Sequence, residues 1–268
     1  MNPPPLYNAN LMSESPAEST PNLLAELHLA ACFLTRLPLP DTGPVAPGGL
    51  AAAMRLFPVV GAVVGLAAAG IHALASLWLP GLPAALLAVT ALVLLTGALH
   101  EDGLADFADG LGARGGRERR LEVMHDSRTG SFGVLALVFS VTLRAAALAA
   151  LPSGWIATGA LVAAAALSRA LMPAAMQAMA PARADGLGAN CGVPHAGVAA
   201  TAVVVALLLS LPGLGLAGTL SAVLAGGLAT LGVAALARRA IGGYTGDVLG
   251  AIQQVSEAAV LLAAVGAL

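Results

Sequence analysis

Lysine is absent from the 268 residues, and all 12 cationic side chains are arginine. A Walker A loop needs its GK[ST] lysine, and Schiff-base or pyridoxal chemistry needs a lysine amine, so both are excluded. Charge of either sign is scarce: 10% of residues are charged, against about a quarter in soluble domains. With 58% hydrophobic residues and a mean hydropathy of +0.88, the polar surface is too small to cover a soluble fold, and the natural solvent is a bilayer. Aromatics, at 3%, leave alanine- and leucine-rich helices as the packing material. A net charge of -2 and a pI near 6.2 exclude a strongly basic nucleic-acid binder. Two cysteines, Cys32 and Cys191, give no disulfide framework. C-x-x-C is missing, and so is H-E-x-x-H: His100-Glu101 opens like a zincin, but Leu104 stands where the second histidine belongs. Gly213, Gly215 and Gly218 spell G-x-G-x-x-G between two apolar runs, with no acidic residue about 20 positions on, so they make no dinucleotide fingerprint.

Residues 1–22 are rich in Pro, Ser, Asn and Glu and read as a disordered tail with no apolar core of signal-peptide length. Residues 23–268 read as one membrane-embedded domain. Leu23 to Leu37 is amphipathic and too short to span, which predicts an interfacial helix. Apolar runs follow at Phe57–Leu79, Pro83–Leu99, Phe132–Leu151, Trp155–Ala180, Ala196–Leu211, Leu214–Ala237 and Val248–Leu268. The class expected is all-α, a polytopic integral membrane helix bundle of about seven transmembrane helices, with six as the alternative because the second and fifth runs are short. Arg114, Arg117, Arg119, Arg120 and Arg128 share one loop within the main polar segment 100–131. With seven spans, Arg36, Arg55, Arg183, Arg238 and Arg239 fall on the same side, whereas the turns at Pro80-Gly81, Pro152-Ser153 and Pro212-Gly213 carry no charge. The positive-inside rule then puts the N-terminus, the polar loops and the site at the cytoplasmic face of a bacterial inner membrane.

Asp102, Asp106 and Asp109 follow i, i+4, i+7 spacing, which places three carboxylates within roughly 60° on one helix face. Such a stripe repels itself unless a cation sits in it, and a hard, oxygen-seeking ion such as Mg²⁺ answers that need, against the plainer reading of a solvated helix end. Arg117 to Met124 reads as a short surface helix leading to His125-Asp126-Ser127-Arg128-Thr129-Gly130. There Asp126 can add a carboxylate and Arg128 a phosphate contact, or the two can serve as a cap and a positive-inside charge. Arg144 and Arg169 lie inside apolar runs, where arginine is costly: Arg169, after Ser168, is the candidate for phosphate, with a structural ion pair as the alternative, and Arg144 can snorkel. The loop Gly242-Gly243-Tyr244-Thr245-Gly246-Asp247 offers free N–H groups, a hydroxyl and a carboxylate, although Gly242, Gly246 and Gly250, like Gly61 and Gly65, also have the spacing of close helix packing. Gln253 and Glu257 share a face at costly depth, so Glu257 is expected to pair with a buried arginine.

In order, these segments resemble the cobalamin synthases, also called adenosylcobinamide-GDP ribazoletransferases. The resemblance is carried by Phe33-Leu34-Thr35-Arg36-Leu37-Pro38, Phe57-Pro58 with Gly61, Asp102-Gly103-Leu104-Ala105-Asp106 with Asp109-Gly110, and Met124 with Asp126-Ser127-Arg128 and Gly130. It continues through Ser168-Arg169, Gly186-Leu187-Gly188, and Gly242-Gly243 with Thr245-Gly246-Asp247. It implies transfer from adenosylcobinamide-GDP to α-ribazole or its 5′-phosphate, with release of GMP and with Mg²⁺. On that basis Asp102, Asp106 and Asp109 are expected to hold metal, and Asp126, Asp247 and Arg169 to be catalytic, with either aspartate orienting the attacking hydroxyl. Arg36, Arg128, Ser168, Arg183, Gly243, Thr245 and Gly246 are expected at the substrates. The partners expected are these substrates and the lipid bilayer, with no nucleic acid, together with self-association or association with other cobalamin-assembly enzymes. A CDP-alcohol phosphatidyltransferase is the competing class, but Asp106 stands where its D-G-x-x-A-R signature needs arginine and the later aspartate pair is missing. A transporter would place its polar site at mid-membrane between inverted repeats, which the chain lacks.

Overall fold

A computed structural model of the chain describes residues 22–43, 45–152, 154–183 and 192–267. Residues 1–21 of the expected tail and the Gly186-Leu187-Gly188 motif lie outside these residues. The described residues form an all-α bundle, with one isolated two-residue bridge between Pro181 and Tyr244.

Helix α1 (Leu23–Leu34) is capped by the Asn22 side chain, which accepts from the Leu24 and Ala25 N–H groups. It is fastened to the 3₁₀ turn Met54–Leu56 by a two-pronged pair from Arg55 to Glu26, both contacts 2.6 Å. Short helix α2 (Gly49–Ala53) and this turn lead into α3 (Phe57–Ala75), the three forming one 27-residue apolar rod. Helix α3 lies directly on α8 (Trp155–Ala178) through two of its glycines. A Cβ at Gly61 would stand 2.3 Å from the Ala165 carbonyl oxygen, and one at Gly65 2.6 Å from that of Leu161. This is small-x-x-x-small packing, in which the missing side chain lets the backbones meet.

Helix α4 (Gly81–Thr96) ends where Gly97 and Ala98 both adopt positive φ, 63° and 58°. The chain there bends by 92° into α5 (Leu99–Gly112), which carries the aspartates, so the second apolar run is a broken element and not a straight span. Helices α6 (Arg117–Val123) and α7 (Ser131–Ala150) follow. The fifth and sixth apolar runs form α9 (Ala196–Ile241), 46 residues broken at Gly215, whose φ of 64° and ψ of -176° are not helical. A straight helix of that length would reach ~69 Å, more than twice the ~30 Å hydrocarbon core. It doubles back instead. Its first arm begins beside the C-terminal end of α8, where the Gln177 amide donates to the Pro194 carbonyl, and its second arm returns there, with Arg238 donating to the Ala178 carbonyl. Between them the turn meets the start of α8, where the Trp155 indole N–H donates to the Pro212 carbonyl at 3.3 Å. Helix α10 (Gly246–Gly266) completes the bundle.

By length and composition five helices can cross a membrane, or six with the bent α4–α5 pair as one, where about seven were expected. The difference is α9, which counts once although its two arms occupy two of the expected runs. Leucine, valine and phenylalanine side chains remain exposed along the outside, as at Leu94, Phe139, Leu208, Leu224 and Leu231, which suits contact with lipid tails.

Charge separates as the sequence suggests. The segments around 36, 100–131, 178–183 and 238–247 gather at one face: the Arg36 N–H donates to the Leu95 carbonyl, Arg117 to the carbonyls of Ile241 and Ala182, and Arg183 to that of Leu121. The uncharged turns gather at the other, where Gly81 meets Ala149 and Gly159 meets Gly213.

A candidate active site at the charged face

The bend after α4 decides where the aspartates go. Gly97 must lie in the left-handed region and also close against the Arg36 side chain, which would be 2.3 Å from an added Cβ. Helix α5 then runs beside the start of α10 so closely that a Cβ on Gly103 would stand 3.0 Å from the Asp247 Cα. Asp247 is held at the first turn of α10, where the Thr245 hydroxyl caps the Val248 N–H and donates to the Asp247 carboxylate at 3.1 Å. The bridge between residues 180–182 and 244 fixes the other wall: Tyr244 N–H donates to the Ala180 carbonyl (3.0 Å) and Ala182 N–H to the Tyr244 carbonyl (2.8 Å). This carries Arg183 to the same place as Asp247.

The result is a cavity of about 540 Å³ at the charged face, with two unlike sides. One side carries Asp102, Asp106, Asp126, Asp247, Thr245 and Arg183; the other is apolar, built from Phe33, Met54, Phe57, Met172 and Met176. Asp102 is exposed and Asp106 and Asp247 are half-buried, so the acidic side is open to water and to a ligand. Asp106 sits in the combined negative field of Asp102, Asp247 and Asp109. Asp126 is different. Arg128 donates to both of its carboxylate oxygens, at 3.0 and 2.7 Å, and this hydrogen bonding holds the Asp126 carboxyl down at about 2. Asp126 is therefore an ionised acceptor and a weak base across the physiological range.

Not every expected residue reaches the cavity. Asp109, on the same helical stripe, accepts from the Gly130 N–H (2.6 Å) and the Gly133 N–H (2.8 Å). Its two oxygens thus cap the start of α7, because α7 packs against that end of α5, and the structure brings Asp102 and Asp106 to the cavity without it. Arg169 is also elsewhere. It is 1% exposed and donates to Glu257 (3.3 Å) and to the Ala165 carbonyl (3.0 Å), so the ion pair weighed as the alternative is what forms, away from the cavity. Arg144 does not snorkel; fully buried, it joins Glu257 (2.9 Å) to Glu101 (3.1 Å). Both follow from one rule: a charge in an apolar span is tolerated where another charge and hydrogen bonds complete it. Ser168 belongs to this network, accepting from Gln253, which also donates to Glu257. The expected pairing of Glu257 with a buried arginine is met twice over.

Arg36 lines a separate shallow recess with Cys32 and Asp41. Arg128 is at the cavity mouth, 87% exposed and paired with Asp126. Gly243 serves packing: a Cβ there would stand 2.1 Å from the Ala180 carbonyl oxygen. Thr245 and Gly246 line the cavity, as does Arg183, whose Nε is buried with no hydrogen-bond partner among the described residues.

Sequence reasoning missed three features. His100 lines the cavity at 1% exposure, and neither ring nitrogen has a partner among the described residues. Its dismissal as half of a failed zincin motif hid it. Arg117, read only as part of a surface helix, pins α6 to the carbonyls of Ile241 and Ala182. The methionines of the apolar side lie in membrane-like runs and look like core.

Among the described residues no group of three His, Cys, Asp or Glu side chains is placed to hold a metal ion. Mg²⁺ needs only one or two carboxylates and fills its shell with water and substrate phosphate. Asp102 and Asp106, one turn apart on α5 and both at the cavity, are the oxygen donors that would fit it.

The cobalamin-5-phosphate synthase family model matches residues 26–265. The chain is 47% identical over 248 residues to an adenosylcobinamide-GDP ribazoletransferase of Bradyrhizobium diazoefficiens, covering 92% of this chain and 95% of that one. Proteins of the same name from Azorhizobium caulinodans (47% over 253 residues, 90% and 95%) and Mesorhizobium japonicum (46% over 246 residues, 90% and 93%) are similar. No solved structure matches.

Proposed function

The chain belongs to the cobalamin-5-phosphate synthase family, and from that premise we propose that it is an adenosylcobinamide-GDP ribazoletransferase whose active site is the two-sided cavity. The observation that carries this reading is the meeting, at one face of a membrane bundle, of three open carboxylates and an arginine with an unpartnered Nε. It joins α-ribazole, or its 5′-phosphate, to the cobinamide-linked phosphorus and releases GMP.

In the reaction the attacking ribazole hydroxyl forms a new P–O bond as the bond to the GMP oxygen breaks. Asp247 orients the hydroxyl and accepts its proton, since the Asp126 carboxylate is already engaged by Arg128 and is the weaker base. Arg183, which lines the cavity with its Nη2 tied to the Leu121 carbonyl, binds the phosphates through its planar guanidinium. Asp102 and Asp106 would hold Mg²⁺, which would supply neutralising charge at the phosphate oxygens. Arg36 and Arg128 stand further out and attract the anionic substrate. The site faces the cytoplasm of the inner membrane, where such nucleotides are made.

The test is formation of cobalamin product with GMP release by membranes containing the protein, supplied with adenosylcobinamide-GDP, α-ribazole or its phosphate, and Mg²⁺. Product is expected with Mg²⁺ and not with EDTA. Phosphatidyl transfer from a CDP-alcohol, with no corrinoid product, would overturn the reading.

A further inference from the structure

Methionine is concentrated at the cavity. Of the five methionines among the described residues, Met54, Met124, Met172 and Met176 line the cavity, leaving Met179 outside it. Met172 and Met176 are four residues apart on α8 and so lie on one stripe, and the same cavity is lined by Phe57, which stacks on Phe33 with centroids 5.8 Å apart and planes 12° apart. In a chain packed almost wholly with alanine and leucine, this is where polarisable and aromatic groups gather. Thioethers contact flat rings favourably and adapt to their outline.

We infer that this wall is the subsite for the base of the acceptor nucleoside. The inference rests on the ribazoletransferase reading and names which part of which substrate the cavity takes. Size selects among the parts. About 540 Å³ lies within the ~300–1,000 Å³ of pockets that enclose drug-sized ligands, enough for a nucleoside and too little for a corrin macrocycle with its amide arms and adenosyl ligand. The corrin therefore stays outside, with only its phosphate arm reaching the acidic side. Polarity selects next. Guanine carries a carbonyl, a ring N–H and an amino group, and Met54, Phe57, Met172 and Met176 have no strong hydrogen-bonding group to meet them. Unpartnered in a dry site they would disfavour binding. Ribazole's base is a benzimidazole with two methyl groups and no N–H, which such a wall suits. Its ribose then extends toward Asp247, which puts the attacking hydroxyl on the acidic side of the cavity.

The test is the Michaelis constant for α-ribazole, at saturating adenosylcobinamide-GDP and Mg²⁺, in wild type and in Met172→Ala and Met176→Ala. Removing buried contacts with the base should raise KM for α-ribazole by roughly tenfold or more, with KM for adenosylcobinamide-GDP within about twofold. The preference of wild type for the dimethylated base over a plain benzimidazole nucleoside should shrink in the variants. Equal shifts for both nucleosides, or a rise confined to adenosylcobinamide-GDP, would overturn the subsite and leave the transferase reading standing. No transfer by wild type would remove both. Independently of turnover, a cysteine placed by Phe33→Cys, at the half-buried end of this wall, should be protected from alkylation by α-ribazole and not by GMP, read by mass spectrometry of its own peptide. Protection by GMP alone would overturn the assignment.

Discussion

Two arginines with the same apparent claim on phosphate have different fates. Arg169 is sealed beside Glu257, whereas Arg183 keeps a guanidinium edge on the cavity. Arg169→Gln therefore leaves Glu257 short of a partner in a dry interior, a change that costs about 3–5 kcal/mol when a buried pair is broken. It should lower the melting temperature in detergent and reduce activity only as folded protein is lost. Arg183→Gln should do the reverse, keeping the melting temperature while raising KM for adenosylcobinamide-GDP. His100 allows a similar separation. Its ring makes no hydrogen bond among the described residues that a substitution could remove, so His100→Leu should fold as well as wild type, and a fall in kcat/KM of more than tenfold would mark a substrate contact; unchanged kinetics would mark it as filler.

How much of this was legible in the sequence depends on what decides each residue's neighbours. Helical spacing showed Asp102 and Asp106 on one stripe, and they stay together because one helix carries both. The same spacing placed Asp109 with them, but the approach of α7, a long-range contact, turned Asp109 to capping. A lone arginine in an apolar run has two readings, and only the partner helix chooses between them. The methionine wall was invisible because its parts come from α8 and the 3₁₀ turn, in stretches where methionine is an ordinary apolar residue.

Among elements, the α3–α8 contact sets the frame on which the apolar side is built, since Phe57 begins α3 and Met172 and Met176 lie on α8. Gly61 lies where the two backbones touch, with Ala165 carbonyl oxygen and the Arg169 side chain around it. Gly61→Val would force the helices apart and carry Phe57 away from the methionines. Loss of folded protein on size-exclusion chromatography in detergent is the expected outcome, whereas Gly70→Val, at a position with nothing within 4 Å of an added Cβ, should be tolerated. Periodicity and the small-residue spacing made this contact readable beforehand. The turn between the fifth and sixth runs was readable too, at Pro212-Gly213, close to the non-helical step at Gly215, whereas the 92° bend was not, because it rests on two positive-φ residues, Gly97 and Ala98, inside an otherwise apolar stretch.

At the scale of the whole molecule, charge and apolar surface divide labour. The arginines outside the bundle and the cavity share one face, the uncharged turns share the other, and the interior holds a closed set of two arginines and two glutamates, Arg144, Arg169, Glu101 and Glu257. That network joins α5, α7, α8 and α10, so the helices bearing Asp102, Asp106 and Asp247 are held by buried ion pairs while their carboxylates remain accessible. On the proposed reading, this ion-paired frame would hold the acidic rim in place for transfer between two substrates. The most direct measurement is the initial rate of cobalamin formation, as Mg²⁺ is varied, for wild type and for Asp106→Asn in membranes containing equal amounts of folded protein. Loss of a carboxylate donor without loss of core volume should reduce the wild-type rate by at least about a hundredfold at limiting Mg²⁺, as positioned charge stabilisation is worth. A variant with wild-type turnover at every Mg²⁺ concentration would contradict the placement of the reaction at this rim.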